Sequence, residues 1–225
     1  MIQPDRAIGR GANQADEGIA QYTVGGRTLR IIGIEGTALS GKSTLCKTLV
    51  ALEPSRFVLV PCFMDWVLPG IEAPPIEPES KEAELAAIRF FTAIERERMT
   101  RLPKAVDDNA VILVDRTIET LVAHVFALHV WDRQFEDECW NMICLETADC
   151  AKPELTIHLA AEPSLIQARK KSHPDAPPLF GDANFISAFN RYFVTERRAA
   201  WPCSQVSADE DPGMLATVFL NAIKQ

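Results

Sequence analysis

Gly36-Thr37-Ala38-Leu39-Ser40-Gly41-Lys42-Ser43 fits the pattern G-x-x-x-x-G-K-[ST], and the stretches on either side of it decide the fold. Leu29 to Glu35 is an apolar run that reads as a buried strand. Ser43 to Leu52 reads as a helix with Leu45, Leu49 and Leu52 on one side. The order matters chemically. A strand end delivers the loop to the edge of a sheet, and Gly36 and Gly41 let backbone N–H groups curl inward onto phosphate oxygens. The helix that follows aims its positive N-terminus at the same anion. Lys42 adds a mobile charge, and Ser43 offers a hydroxyl to Mg²⁺. The whole loop, from Gly36 to Thr44, is therefore the expected phosphate-binding segment.

Composition narrows the partners. The chain has 225 residues, 47% of them apolar and 24% charged, with a net charge of −8. That length suits one α/β domain with a real core. The acidic balance lacks the basic footprint of a nucleic-acid binder, so no nucleic-acid partner is expected. No apolar run is long enough to span a membrane, and the N-terminus has no apolar signal core; no membrane partner is expected. The six cysteines form no C-x-x-C pair, which suits free thiols in a reducing cytoplasm.

Residues 1–22 read as a mobile N-terminal tail and 23–225 as a single domain. Phe57 to Val60, Ala110 to Val114, Leu155 to Ala160 and Ser204 to Ser207 are the further strand candidates. Long helices are expected at Glu79–Leu102, 117–130, 134–148, Pro163–Lys171, Asn184–Arg198 and Pro212–Lys224. Strands alternating with helices imply a mostly parallel sheet covered on both faces. Ligands of such sheets bind outside the carboxyl ends of the strands, where the loop at Gly36, Asp65, Asp115 and the 208–211 loop should gather.

Asp115 and Arg116 stand where a buried strand meets solvent. The carboxylate can order Mg²⁺ through its water shell or take a proton. The guanidinium can grip an anionic substrate at two points. Arg169-Lys170-Lys171 ends a helix and enters a proline-containing loop, giving an expected lid over about 169–183 that excludes water and supplies cations. The plainer alternative is a solvated basic helix end that suits the helix dipole.

With these pieces in place, the chain resembles the thymidylate kinase and deoxynucleoside kinase group of P-loop kinases. Ile34-Glu35-Gly36 looks like their Ile-Glu-Gly phosphate loop, and Asp115-Arg116-Thr117 resembles their Asp-Arg-Tyr or Glu-Arg-Ser motif. Lys152 to Leu159 is similar to the thymidylate kinase strand Pro-Asp-Leu-Thr-Ile-Tyr-Leu. The resemblance implies the P-loop nucleoside triphosphate hydrolase fold, a five-stranded parallel sheet with ATP and Mg²⁺ at the loop. It implies Ser43 and Asp115 at the metal, and a small-molecule acceptor between the long helix and Arg116. Phe91 is then the match for a base-stacking Phe and Arg96 for a monophosphate-holding Arg, with Phe90 and Arg89 as rivals. Several positions depart. Cys62 stands where nucleoside kinases carry a Glu base, Asp65 is the nearest carboxylate, Ala123 and His124 replace an expected arginine, and Glu119 is unusual. These departures suggest a retuned acceptor pocket.

The expected activity is in-line transfer of the γ-phosphoryl group of ATP to a nucleoside monophosphate or nucleoside. Lys42, Asp115, Arg116, Arg169 and Lys170 are the candidate catalytic groups, with Asp65 or Asp115 as base for a hydroxyl acceptor. A kinase of another small alcohol on the same scaffold is the alternative. A GTP-dependent switch is disfavoured, because neither Asn-Lys-x-Asp nor Asp-x-x-Gly occurs where it should. A homodimer through Leu121–Trp131 is a further expectation.

Overall fold

The computed structural model describes residues 22–24, 27–102 and 110–223. The expected N-terminal tail lies outside the described residues, except for Tyr22, as does Lys224 at the expected end of the last helix. The described elements run β1 (Tyr22–Val24), β2 (Arg27–Glu35), α1 (Lys42–Leu52), β3 (Phe57–Val60), α2 (Lys81–Thr100), β4 (Val111–Asp115), α3 (Ile118–Leu128), α4 (Arg133–Glu146), β5 (Leu155–Ala160), α5 (Pro163–Lys170), α6 (Ala183–Arg191), β6 (Cys203–Ser207) and α7 (Pro212–Ala222).

β2 is the centre of the sheet, in the order β3-β4-β2-β5-β6. All four neighbouring pairs in that path are parallel, and β1 adds an antiparallel edge to the start of β2. The five-stranded parallel sheet is thus as expected. Strand order reverses about β2, so the crevice outside its carboxyl end is a topological switch point, the usual ligand position in such sheets.

Period-two alternation splits the strand side chains between two layers. Ile32, Ile34, Leu113 and Leu159 face α1 and α7, where Leu45, Leu49, Leu215 and Phe219 complete the core. Ile31, Ile112 and Val114 face the other way, against Met99 of α2. A third cluster joins α3, α4 and α6 through Val122, Phe126, Phe135, Ile143 and Phe189. All five residues of β4 are buried, as a strand covered on both faces requires.

Helix starts follow capping chemistry. Ser80 accepts from the Ala83 N–H at α2, Thr117 from Glu119 at α3, and Asp132 from Phe135 at α4. One expectation changes. The helix expected over Asn184–Arg198 is α6 followed by one π-helical turn, Tyr192–Glu196, after which Arg197 leaves the helix path for Glu119. In the stretch Leu121–Trp131, Val122, Ala123, Val125 and Phe126 are buried, Leu121, His124 and residues 127–130 are partly exposed, and Trp131 is almost fully exposed.

Candidate active site

The loop after β2 holds its shape at a steric limit. Gly36 has φ 143°, and a Cβ there would come within 2.6 Å of the Leu159 carbonyl oxygen. No L side chain fits, so β5 forms the floor of the loop. Leu39 also takes positive φ, at 64°. Lys42 lies buried beneath this loop, and its Nζ donates to the Thr37 carbonyl at 2.6 Å and to Ser40 Oγ at 3.3 Å. Burial first, then the charge of Arg116, draws the Lys42 ammonium down to about 7.

Ser43 Oγ donates to Asp115 Oδ2 at 2.5 Å, joining the first turn of α1 to the end of β4. Asp115 Oδ1 is buried and has no partner among the described residues. A hard dication takes oxygen ligands, and a serine hydroxyl beside a carboxylate with an unused oxygen fits Mg²⁺. The donor set is therefore compatible with the expected ion.

Arg116 sits at the next position with φ 66°, a backbone conformation rare for a residue with a side chain. Its neighbours over-determine it. The Arg116 N–H donates to the Ile34 carbonyl, and Arg98 Nη2 donates to the carbonyls of both Asp115 and Arg116 at 3.0 Å. Arg98 is fully buried, paired with Glu95 at 2.6 Å and set over the Phe63 ring. Sequence reasoning missed Arg98, because a basic residue in the last turn of a helix reads as a surface charge that complements the dipole. The only hint was that it continues the buried α2 stripe of Glu84, Ile88 and Glu95.

Glu35 is likewise buried. It accepts from the Thr117 N–H and Oγ1, both at 2.7 Å, and from Thr120 Oγ1. Burial and the nearby Glu119 raise its carboxyl to about 7. Glu119 itself turns away from the acceptor side, towards Arg197 at 2.6 Å, Thr156 and Trp201. The unusual residue at that position therefore belongs to a core network and does not reshape the pocket.

Two cavities open along the carboxyl edge. One, of about 500 Å³, runs from Lys42 and Ser43 to Arg169, His173, Glu210 and Pro212. The other, of about 320 Å³, lies between α2 and α3 with a mostly apolar wall that includes Phe63, Ile88, Phe91, Leu121 and Phe180. Cys62 and Arg116 line both.

The candidate residues distribute unevenly over this site. Phe91 is in the wall of the smaller cavity, while its rival Phe90 packs edge-on behind it at 5.3 Å. Arg96 lies outside that wall, half-exposed and 3.4 Å from Glu146. Asp65 is exposed and also outside it, because the short 3₁₀ turn Phe63–Trp66 directs Phe63 inward instead. Arg169 is no free lid cation: its guanidinium donates to the carbonyls of Leu39, Ser40 and Ala208 at 2.8 to 3.0 Å. Lys170 lies against Gly181, beside a separate surface hollow with Glu77 and Gln167. The rest of the expected lid forms a 3₁₀ turn, Pro178–Gly181, whose Phe180 covers the smaller cavity.

No protein-family model matches the sequence, and no curated protein is similar to it in sequence. Solved structures do match. Deoxyadenosine kinase from M. mycoides with bound dATP superposes with a TM-score of 0.58 at 15% identity, over 87% of this chain and 100% of the other. Thymidylate kinase from Candida albicans superposes with a TM-score of 0.53 at 18% identity, over 87% of this chain and 91% of the other. The chain has the fold of these P-loop kinases. Among the described residues, no helix is long and apolar enough to cross a membrane.

Proposed function

We propose that this protein transfers the γ-phosphoryl group of ATP to a nucleoside monophosphate or nucleoside. The observation that carries the reading is the junction of two cavities at Cys62 and Arg116, one rimmed by the phosphate-binding loop and one large enough for a base and sugar. Arg169 and the loop amides shape the donor side, and Lys42 neutralises charge on the transferring group. Arg116, held in its strained conformation by Arg98, faces both reactants and orients the acceptor. Ser43 and Asp115 would hold Mg²⁺, which when bound offsets phosphate charge. The wall of Phe63, Phe91 and Phe180 excludes water from the transferring group, so hydrolysis of ATP does not compete.

The acceptor oxygen is best read as already ionised, that of a monophosphate. Among the described residues Cys62 occupies the junction, Asp65 faces solvent, Asp115 is tied to Ser43 and Glu35 to two threonines. None is placed to deprotonate a hydroxyl. A cytoplasmic location fits such substrates.

An ADP-release assay with ATP·Mg²⁺ over nucleosides, nucleoside monophosphates and small alcohols tests the reading. Turnover of a monophosphate, cut by about 10²–10³ in Lys42→Ala, is expected. Turnover of small alcohols alone would replace the nucleotide reading with that of another small-molecule kinase.

A further inference from the structure

The wall of the acceptor cavity carries a feature that phosphoryl transfer does not use. Glu84, in the first turn of α2, is 4% exposed and forms part of the cavity wall. Its Oε2 meets His129 Nε2, and its Oε1 has no hydrogen-bond partner. Among the described residues it is the only cavity-lining residue with a buried, unpartnered side-chain oxygen or nitrogen. A buried acceptor without a donor is costly, on the order of 1–3 kcal/mol, and more for a charged group. A ligand donor in the cavity would satisfy this group once the carboxylate turns towards it, because Oε1 itself is enclosed in the free protein.

The neighbouring polar groups have the same sense. His124 is in the same wall, and burial lowers its imidazolium to about 4, so the ring is neutral. Its Nε2 lies 2.8 Å from the Ile76 carbonyl, which can only accept, so Nε2 carries the proton and Nδ1 is left as an acceptor. Thr120 Oγ1 already donates to Glu35. Ile76, Pro78 and Ile88 of the same wall have side chains with no donor to offer. The wall therefore presents a cation at Arg116 and acceptors at Glu84 and His124.

We infer that Glu84 selects the acceptor, and that the base it selects bears an exocyclic amino group. This rests on the nucleotide reading above. An amino group donates to the Glu84 carboxylate and relieves its unpaired oxygen. An oxo group at the same position puts a carbonyl lone pair against that carboxylate, leaving both unsatisfied. Sites that hydrogen-bond a substrate donor reject analogues lacking it far more strongly than apolar pockets reject a methyl group.

The test is a matched-pair comparison, cytosine against uracil and adenine against hypoxanthine, each as nucleoside and monophosphate. The wild-type protein is expected to favour the amino member by at least tenfold in kcat/KM. Glu84→Gln supplies a donor and should narrow or reverse that ratio by raising kcat/KM for the oxo member, with folding checked by its melting curve. Equal turnover of amino and oxo partners by the wild type, or an unchanged ratio in a folded Glu84→Gln variant, overturns the role of Glu84 and leaves the kinase reading standing. ATP binding with no nucleoside or nucleotide consumed overturns the nucleotide reading, and this assignment with it. The wild-type comparison needs no variant, so a Glu84→Gln protein that fails to fold leaves the test intact.

Discussion

Lys42 is held near the middle of its titration in the free protein, at about 7. A triphosphate arriving beside it favours the charged form and raises that value. Binding ATP at pH 8 should therefore take up close to one proton, and at pH 6 almost none. Apparent affinity should fall as pH rises above 7, by up to tenfold per unit. Titration calorimetry in buffers of different ionisation enthalpy measures this directly, and the uptake should vanish in Lys42→Met. Glu35 has a linkage of the same sign, expressed in folding rather than in binding. Its folded value, about 7, lies above the ordinary 4.5, so the folded protein holds the proton more tightly. That contribution to stability is full below about 4.5 and is lost as pH rises through 7. Denaturant melts from pH 4.5 to 8 should show the decline, and Glu35→Gln should flatten it. At this scale the sequence was legible where a motif names the atom: Lys42, Ser43 and Asp115 meet as their spacing implied. It was not legible for Arg98 or Glu84, whose importance lies in being buried. Burial of one charged side chain is a property of the packed helix, and Arg96 and Arg98 look alike until α2 is rotated into place.

At the scale of elements, α5 is tied to the phosphate loop by one side chain. Arg169 bonds three carbonyls from two segments, the loop at Leu39 and Ser40 and the turn at Ala208. A lysine cannot span them, because its donors radiate from a single nitrogen. Arg169→Lys should raise the KM for ATP by about tenfold or more, equivalent to about 1.4 kcal/mol of binding, with a smaller effect on the acceptor KM. Steady-state kinetics separates the two. α2 is pinned to β4 in the same manner by Arg98. Arg98→Met leaves Glu95 unpaired in the core, where burial already raises its carboxyl. A loss of about 3–5 kcal/mol in chemical denaturation is expected. Helices and strands were largely readable from apolar period, and the start of α5 from Pro163; the cap at Ser80 emerged only in the structure, one residue inside the expected helix start. The π-helical turn at Tyr192 was not. Its apolar residues keep a helical spacing, and nothing in that spacing marks where the hydrogen bonds lengthen by one residue.

For the whole molecule, the donor cavity is built from both ends of the chain, the loop after β2 and the Glu210–Leu215 segment of the β6–α7 region. Ligand bound there bridges segments far apart in sequence. ATP at 100 times its Kd should stabilise the fold by about 2.7 kcal/mol, a rise of about 5–10 °C in Tm by scanning fluorimetry. The sheet and its switch point were legible because one motif between a strand and a helix constrains the order of everything around it. The acceptor cavity was not, since its wall is assembled from Cys62, Pro75, α2, α3 and Phe180, and no local pattern announces that these meet.

The placement of Cys62 has a practical consequence. Its thiol is half-buried at the one place that both cavities share. A thiol-directed alkylating agent reaching it would report on occupancy of either side without any turnover. ATP alone and acceptor alone should each slow labelling at Cys62, and the two together should slow it further, as read by mass spectrometry of the peptide. Cys46 and Cys139, enclosed in the packed layers, should stay unlabelled until the chain unfolds. The thiol at this junction thus gives the chain an internal gauge of when both cavities are filled.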